Sequence, residues 1–192
     1  RTTIGNPDLK PEEALTKELG LRFTSNQFTF YVAYFDRQAE NLIDYVRSTG
    51  DNLWEATNIR SIDTQGFETE INYPFLIDKK AQSLKFGYTY LYDNLRETAA
   101  NFSRYSINSL QHHFTSSYRA QLTDKLKWFT GFKYAKRPSM EGYTVIDSNL
   151  QWSLNLFQLT ASINNLLNEK YSETNLVPMP GRNVLFSLQY QL

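Results

Sequence analysis

The 192-residue sequence balances 20 Lys and Arg against 20 Asp and Glu, so its charge makes no case for nucleic acid or a polyanionic partner. It contains no Cys, which excludes disulfides, thiol nucleophiles and Cys-based metal sites, and no run approaches the ~18 apolar residues of a spanning helix. A mean hydropathy of −0.52 combined with 13 Tyr, 13 Phe and 3 Trp instead suits a sheet with one apolar and one wet face.

Along the chain the dominant period is two, the signature of strands. At the start, Pro11 and two Glu in "PEEALTKEL" offer a short-helix entry, but the following "ELGLRF" alternates and favours a strand. About nine strands follow from the pattern, near residues 16–24, 28–37, 61–73, 83–92, 108–122, 126–134, 144–152, 157–164 and 183–192. The connections alternate in length. Short ones fall at 25–27, 123–125 and 153–156, with a moderate one at 74–82; long ones fall at 38–60, 93–107, 135–143 and 165–182. No repeat, low-complexity tract or linker divides the chain, so a single domain over 1–192 is expected.

Each strand has one frame that collects its apolar residues. Together these frames hold 40 positions, among them Leu19, Phe30, Phe86, Trp128, Leu150 and Phe186, without one Asp, Glu, Lys or Arg. At the overall charged fraction of 21%, about eight would be expected. The opposite frame carries Glu18, Arg22, Glu68, Glu70, Lys85, Arg119, Lys127, Lys133 and Asp147.

Two environments demand such a face: the core of a soluble sandwich, or lipid, where a Lys or Arg at the midplane of a barrel wall costs ~2–4 kcal/mol. Side-chain identity favours lipid. Tyr73, Tyr90, Tyr92, Tyr118, Tyr134 and Tyr190, with Trp128 and Trp152, crowd the strand ends, and such rings fit the boundary between water and hydrocarbon. Alternation of tight turns with long loops is the pattern of outer-membrane barrels.

Candidate sites are few. His112 and His113 are the only histidines and point to opposite faces of a strand, so they make no metal pair. Glu68 and Glu70 share a face, but a wet lumen accounts for them, and for Lys85, Arg119, Lys127, Lys133 and Asp147, as lumen-facing or plug-facing residues. No phosphate loop, metal cluster, cofactor motif or nucleophile elbow is present, so neither an enzyme nor a cofactor is indicated. A ligand is expected at the long loops, where Trp54, Tyr105, Arg137, Met140, Tyr143, Tyr171, Met179 and Arg182 supply aromatic, thioether and cationic contacts.

Four stretches then carry a resemblance. "GNPDLKPE" at 5–12, "DTQGFETEINY" at 63–73, "INNLLNEKY" at 163–171 and "PMPGR" at 178–182 occur in the order seen in TonB-dependent outer-membrane receptors, and the sequence resembles that family along its whole length. The resemblance implies an all-β, antiparallel transmembrane barrel of 22 strands. This chain would be a C-terminal portion of it, about nine strands, with the plug domain and earlier strands lying outside. It also implies residence in the outer membrane of a Gram-negative bacterium and active uptake of a scarce nutrient, such as a ferric siderophore, haem or a cobalamin-like metal chelate. Implied partners are outer-membrane lipid, the TonB complex and the barrel-assembly machinery, whose terminal signal the stretch ending in Tyr190 and Leu192 resembles. A passive porin-type barrel, an outer-membrane enzyme and a soluble β-sandwich binding protein are the competing expectations.

Overall fold

A computed structural model describes residues 3–47, 53–95, 102–103, 109–138, 140–173 and 177–190. Among them there are eleven strands and no helix: β1 (Thr3–Ile4), β2 (Glu13–Thr24), β3 (Thr29–Arg47), β4 (Trp54–Ile77), β5 (Lys80–Leu95), β6 (Phe102–Ser103), β7 (His112–Gln121), β8 (Leu126–Lys136), β9 (Tyr143–Leu154), β10 (Phe157–Asn164) and β11 (Asn183–Tyr190). Nine of them form one path, β11-β10-β9-β8-β7-β5-β4-β3-β2, and these are the nine expected from the period-two pattern. The two-residue strands β1 and β6 pair off the path, β1 in parallel with β4 and β6 with β3. The start at residues 11–19 is strand from Glu13 onward, so the helical entry does not form.

Three expected boundaries move. The connection at 74–82 shrinks to the two residues Asp78 and Lys79, whose φ values of 48° and 64° make the left-handed turn that matches hairpin twist. Pro74, which lacks an N–H, suggests a strand end, yet β4 runs through it. The long connection at 38–60 also contracts, because β3 continues to Arg47 and β4 begins at Trp54. The strand expected from residue 108 begins at His112.

The chain packs as two compact units, one of Arg1–Gly20, Ala33–Phe67 and Leu91–Ser109, the other of Leu21–Val32, Glu68–Tyr90 and Leu110–Leu192. Within the first, Asn58 is the organising side chain. It receives the Lys10 N–H at 2.8 Å and donates to the carbonyls of Lys10 at 2.9 Å and Asn41 at 2.6 Å. Asn41, at φ 55°, takes the left-handed conformation that Asn tolerates best after Gly. The Glu12 carboxylate accepts the Ile43 N–H at 2.8 Å, so the "GNPDLKPE" stretch is tied at its end to β3 and β4.

In the second unit, cross-strand register carries the face assignment across six strands. On one side Gln82, Ala120, Trp128, Leu150, Ala161 and Phe186 lie in one row, and Leu84, Tyr118, Thr130, Ser148, Ile163 and Val184 in the next. On the other side Lys85, Ser117, Gly131 and Asp147 align, as do Gly87, Thr115, Lys133 and Val145. Polar atoms on the apolar side find partners there: the Trp128 indole donates to Ser148 Oγ at 2.9 Å, and the Tyr118 hydroxyl to Gln82 Oε1 at 2.6 Å. Tight turns close the same unit. The Ser25 and Thr123 hydroxyls each accept two backbone N–H groups, and Lys80 Nζ meets Asp124 at 2.7 Å. That ammonium holds the fully exposed Asp124 carboxyl below its ordinary pKa, by hydrogen bond first and charge second.

Burial argues against a sandwich. Among the described residues, the enclosed apolar side chains are chiefly alanines (Ala33, Ala39, Ala56, Ala120, Ala135), joined by Ile62, Val145 and Tyr143. Eighteen large side chains of the apolar stripe stay exposed, up to 75% for Leu19 and 82% for Phe186. Shielding each from water is worth ~1.5–3 kcal/mol, tens of kcal/mol in sum. That exceeds the ~5–15 kcal/mol by which a typical domain is stable, so this stripe needs an apolar cover from outside the chain.

Candidate functional site

The described residues of the connections 137–142 and 165–182, in the second unit, build the candidate site. Its floor is strand: Lys133 and Ala135 from β8, Tyr143 and Val145 from β9, all on the polar side by register. The two ends of the 165–182 connection are tied together at its root. Asn165, 2% exposed and at φ 52°, accepts the Glu169 N–H at 2.8 Å and donates to the carbonyls of Glu169 at 2.9 Å and Pro180 at 3.2 Å. Its own N–H goes to Asp147 Oδ1 at 2.8 Å. Asn168 repeats the device, accepting the Arg182 N–H at 2.9 Å from a left-handed backbone at φ 55°. These two Asn explain the "NNLLN" spacing: each must both turn the chain and satisfy backbone groups, which Asn does at little steric cost.

Beyond that root, residues 171–173 and 177–179 run back along each other through the Ser172–Pro178 bridge and a Met179 N–H to Tyr171 C=O bond of 2.9 Å. Tyr171 stacks on Tyr143 with centroids 4.6 Å apart and planes at 26°. Lys133 Nζ lies 5.7 Å and 5.3 Å from the two ring centroids, within cation–π range, and pairs with the Glu173 carboxylate. Burial, more than anything else, raises the Tyr171 phenol above its ordinary pKa, with Lys133 opposing. Beside this cluster a cavity of about 340 Å³ is lined by Arg137, Met140, Glu141, Tyr143, Lys170 and Tyr171, among others. That is the size of a small-molecule pocket, with aromatic, thioether and charged groups converging on it.

The eight loop residues singled out from sequence thus divide. Arg137, Met140, Tyr143 and Tyr171 come together at this cavity, and Met179 joins them through its backbone bond to Tyr171. Arg182 is exposed and is held at the loop root by Asn168, with a 3.5 Å contact from its guanidinium to the Leu166 carbonyl. Trp54 belongs to the other unit, where the Arg47 guanidinium sits 4.4 Å from its ring centroid. Tyr105 lies outside the described residues. Sequence reasoning missed Glu173, Glu141 and Lys170, and placed Lys133 on the wet face without its aromatic partners.

Of the remaining polar-side residues, Lys85, Arg119, Lys127 and Asp147 lie on the same face by register. Glu70 and Lys85 approach to 3.8 Å, Arg119 stacks on Phe129 at 5.1 Å, and Arg119 and Lys127 both border a larger concavity of about 690 Å³. Glu68 and Glu70 border a third of about 320 Å³ with Arg22 and His113. His112 faces the other way, its Nδ1 2.8 Å from the Tyr88 hydroxyl. No group of three or more His, Cys, Asp or Glu among the described residues is placed to hold a metal ion.

Comparison with known proteins decides the family. A family model described as TonB dependent receptor-like, beta-barrel, matches residues 1–166. The chain belongs to the TonB-dependent receptor family. It is 26% identical to the iron-regulated outer membrane virulence protein of Vibrio cholerae over 90% of this chain and 30% of that protein. It is likewise 26% identical to the vitamin B12 transporter BtuB of Vibrio vulnificus, over 97% of this chain and 31% of that protein. Among solved structures, the FrpB iron transporter from Neisseria meningitidis superposes with a TM-score of 0.74 at 18% identity, covering 98% of this chain and 32% of that one. The chain therefore spans about a third of the length of these relatives. Membership places this TonB-dependent receptor chain in the bacterial outer membrane as barrel wall. Two of these relatives, BtuB and FrpB, are named as transporters.

Proposed function

We propose that this chain is part of the wall of a receptor that takes up a metal chelate, of the ferric siderophore, haem or cobalamin kind, across the outer membrane with energy delivered through TonB. The observation that carries the reading is the pairing of two features on one wall. A loop-borne pocket of aromatic and cationic groups stands over a polar face running in register from strand to strand. The pocket captures the chelate. The polar side, with Glu68, Glu70, Lys85, Arg119, Lys127, Lys133 and Asp147, faces the lumen and the plug that fills it. Residues 1–192 form barrel alone, and plug and TonB contact belong to other parts of the protein. The exposed alternating strand β11 is the segment read by the barrel-assembly machinery during insertion. Relatives named for iron regulation and for vitamin B12 support the class of cargo without choosing within it.

The test is uptake of radiolabelled ferric chelates and cobalamin by cells that make the whole protein, with and without a functional TonB. Accumulation of one cargo that vanishes without TonB is expected. Uptake that is unsaturable and indifferent to TonB would establish a passive pore instead.

A further inference from the structure

We propose that Lys136, with His112 and Tyr90 beside it, is the headgroup site of a phosphorylated lipid of the outer leaflet, whose acyl chains lie along the aromatic face below. The site rests on the barrel-wall reading above, with the apolar stripe turned to lipid, and is indifferent to the cargo.

The apolar side of β5, β7 and β8 is graded toward the loop end. Phe86 and Phe132 share one cross-strand row, Tyr88 and Tyr134 the next, and Tyr90, His112 and Lys136 the last. Hydrocarbon, then phenol, then imidazole and ammonium is the order of a bilayer from its core to its headgroups, where Tyr sits at the boundary and Lys reaches past it. Lys136 is the direct cross-strand partner of His112, which puts the two Cβ atoms ~4.5–5.5 Å apart. The imidazole is held from two sides. Its Nδ1 lies 2.8 Å from the Tyr88 hydroxyl, and its ring packs on Tyr90 with centroids 5.1 Å apart. Nε2 is therefore the nitrogen left to meet an oxygen ligand beside the ammonium.

The charge at this end lacks its counterpart. Among the described residues no carboxylate lies within ion-pair distance of Lys136. Glu141, the one carboxylate of the adjoining connection 137–142, lines the cavity with Tyr143 and Tyr171. The opposite end of the stripe is the contrast: Lys80, in the same frame as Gln82 and Leu84, meets Asp124 at 2.7 Å. One end thus supplies its own anion, and the other takes it from outside the chain. The connections that follow β5 and β8 lie at this second end, which in an outer-membrane barrel is the outward one. A phosphate on a sugar lipid of that leaflet brings oxygens for a charge-assisted bond to the ammonium and for Nε2. Its chains cover Phe86, which is 40% exposed. A free anion would serve Lys136 and leave that ring bare.

The test is native mass spectrometry of the whole protein in detergent, titrated with lipid A carrying both phosphates. The first copy bound should be held about three- to tenfold more weakly by Lys136→Gln than by the wild type, and Lys136→Arg should restore it. Lys80→Gln should bind like the wild type, and lipid A stripped of its phosphates should not tell wild type from Lys136→Gln. Unchanged binding in Lys136→Gln, or an equal loss in Lys80→Gln, overturns the proposal. Displacement of the lipid from the wild type by millimolar inorganic phosphate would make this a site for the free ion and overturn it too. A nitroxide at residue 132 in outer-membrane vesicles scores the wall reading separately. Oxygen access there with unchanged binding in Lys136→Gln sinks the lipid site and leaves the wall intact, whereas access of a water-soluble nickel complex sinks the wall reading itself.

Discussion

Replacing Asn165 with Ala should detach the 165–182 connection from the sheet while leaving the strands paired. The side chain is 2% exposed and makes three hydrogen bonds, at 2.8, 2.9 and 3.2 Å, to backbone groups of Glu169 and Pro180. At ~1 kcal/mol net for each, their loss costs about 3 kcal/mol. Alanine must also hold a φ of 52°, where a Cβ-bearing residue without a polar side chain loses about 1–2 kcal/mol. The sum is about 4–5 kcal/mol, or roughly three decades in an opening equilibrium at 1.4 kcal/mol per decade. Hydrogen exchange of peptides covering 165–182 in the membrane-embedded protein reads this directly. Exchange at the Glu169 amide should rise by two to three orders of magnitude, while β8 and β9 stay protected. Asn165→Asp keeps the acceptor and the tolerance for left-handed backbone but loses both donors, and should fall midway. If the Glu169 amide exchanges in Asn165→Ala within threefold of the wild type, the side chain is not the anchor of this loop.

Three further outcomes follow from the same geometry. Phe132→Arg puts a charge on the apolar side in the middle of β8 and should cost ~2–4 kcal/mol, seen as reduced assembled protein in the outer membrane; an equal yield would contradict the face assignment. Tyr171 should ionise above the ordinary 10.0 because burial disfavours its phenolate. A raised folded pKa stabilises below the unfolded value and is lost as pH rises through the folded one, so protection around Tyr171 should decay only in strong alkali; an ordinary phenolate titration at Tyr171 would refute this. Asp124 has a lowered pKa, so its tie to Lys80 is complete above the unfolded value of 3.8 and disappears as pH falls through the folded one. Exchange at the turn amides should rise in that acid range, and Asp124→Asn should abolish the step.

The face pattern was legible in sequence because a side that needs an apolar cover tolerates charge poorly: a stripe of 40 uncharged positions survives in nine strands without any knowledge of their pairing. The upper limits of β3 and β4 were not legible for the complementary reason. Past Tyr34 the outward positions turn polar, with Asp36 bonded to Gln65 at 2.9 Å, so alternation fades while the ladder continues to Arg47. Hydrogen bonds of the backbone, which hold those segments, leave no mark in hydropathy. Around the candidate site, the loop residues were identifiable by type, but their meeting was not. Lys133 and Glu173 are 40 residues apart, and Asn58 ties Lys10 across 48. Such long-range closures depend on loop conformation, which one sequence does not display. A lone Asn such as Asn165 carries no period, so only the structure shows that it anchors a whole connection.

The central claim is that β8 stands in a membrane wall with one side in lipid and the other in water. Single cysteines can be placed from Leu126 to Lys136, a segment of a chain without Cys, and spin-labelled in outer-membrane vesicles that hold the whole protein, with any Cys elsewhere in it replaced by Ser. Collision rates with oxygen and with a water-soluble nickel complex then report lipid and water access position by position. The account predicts oxygen maxima at 128, 130, 132 and 134 and nickel maxima at 127, 129, 131 and 133, in strict alternation. Uniform nickel access, or alternation in the opposite phase, would contradict it.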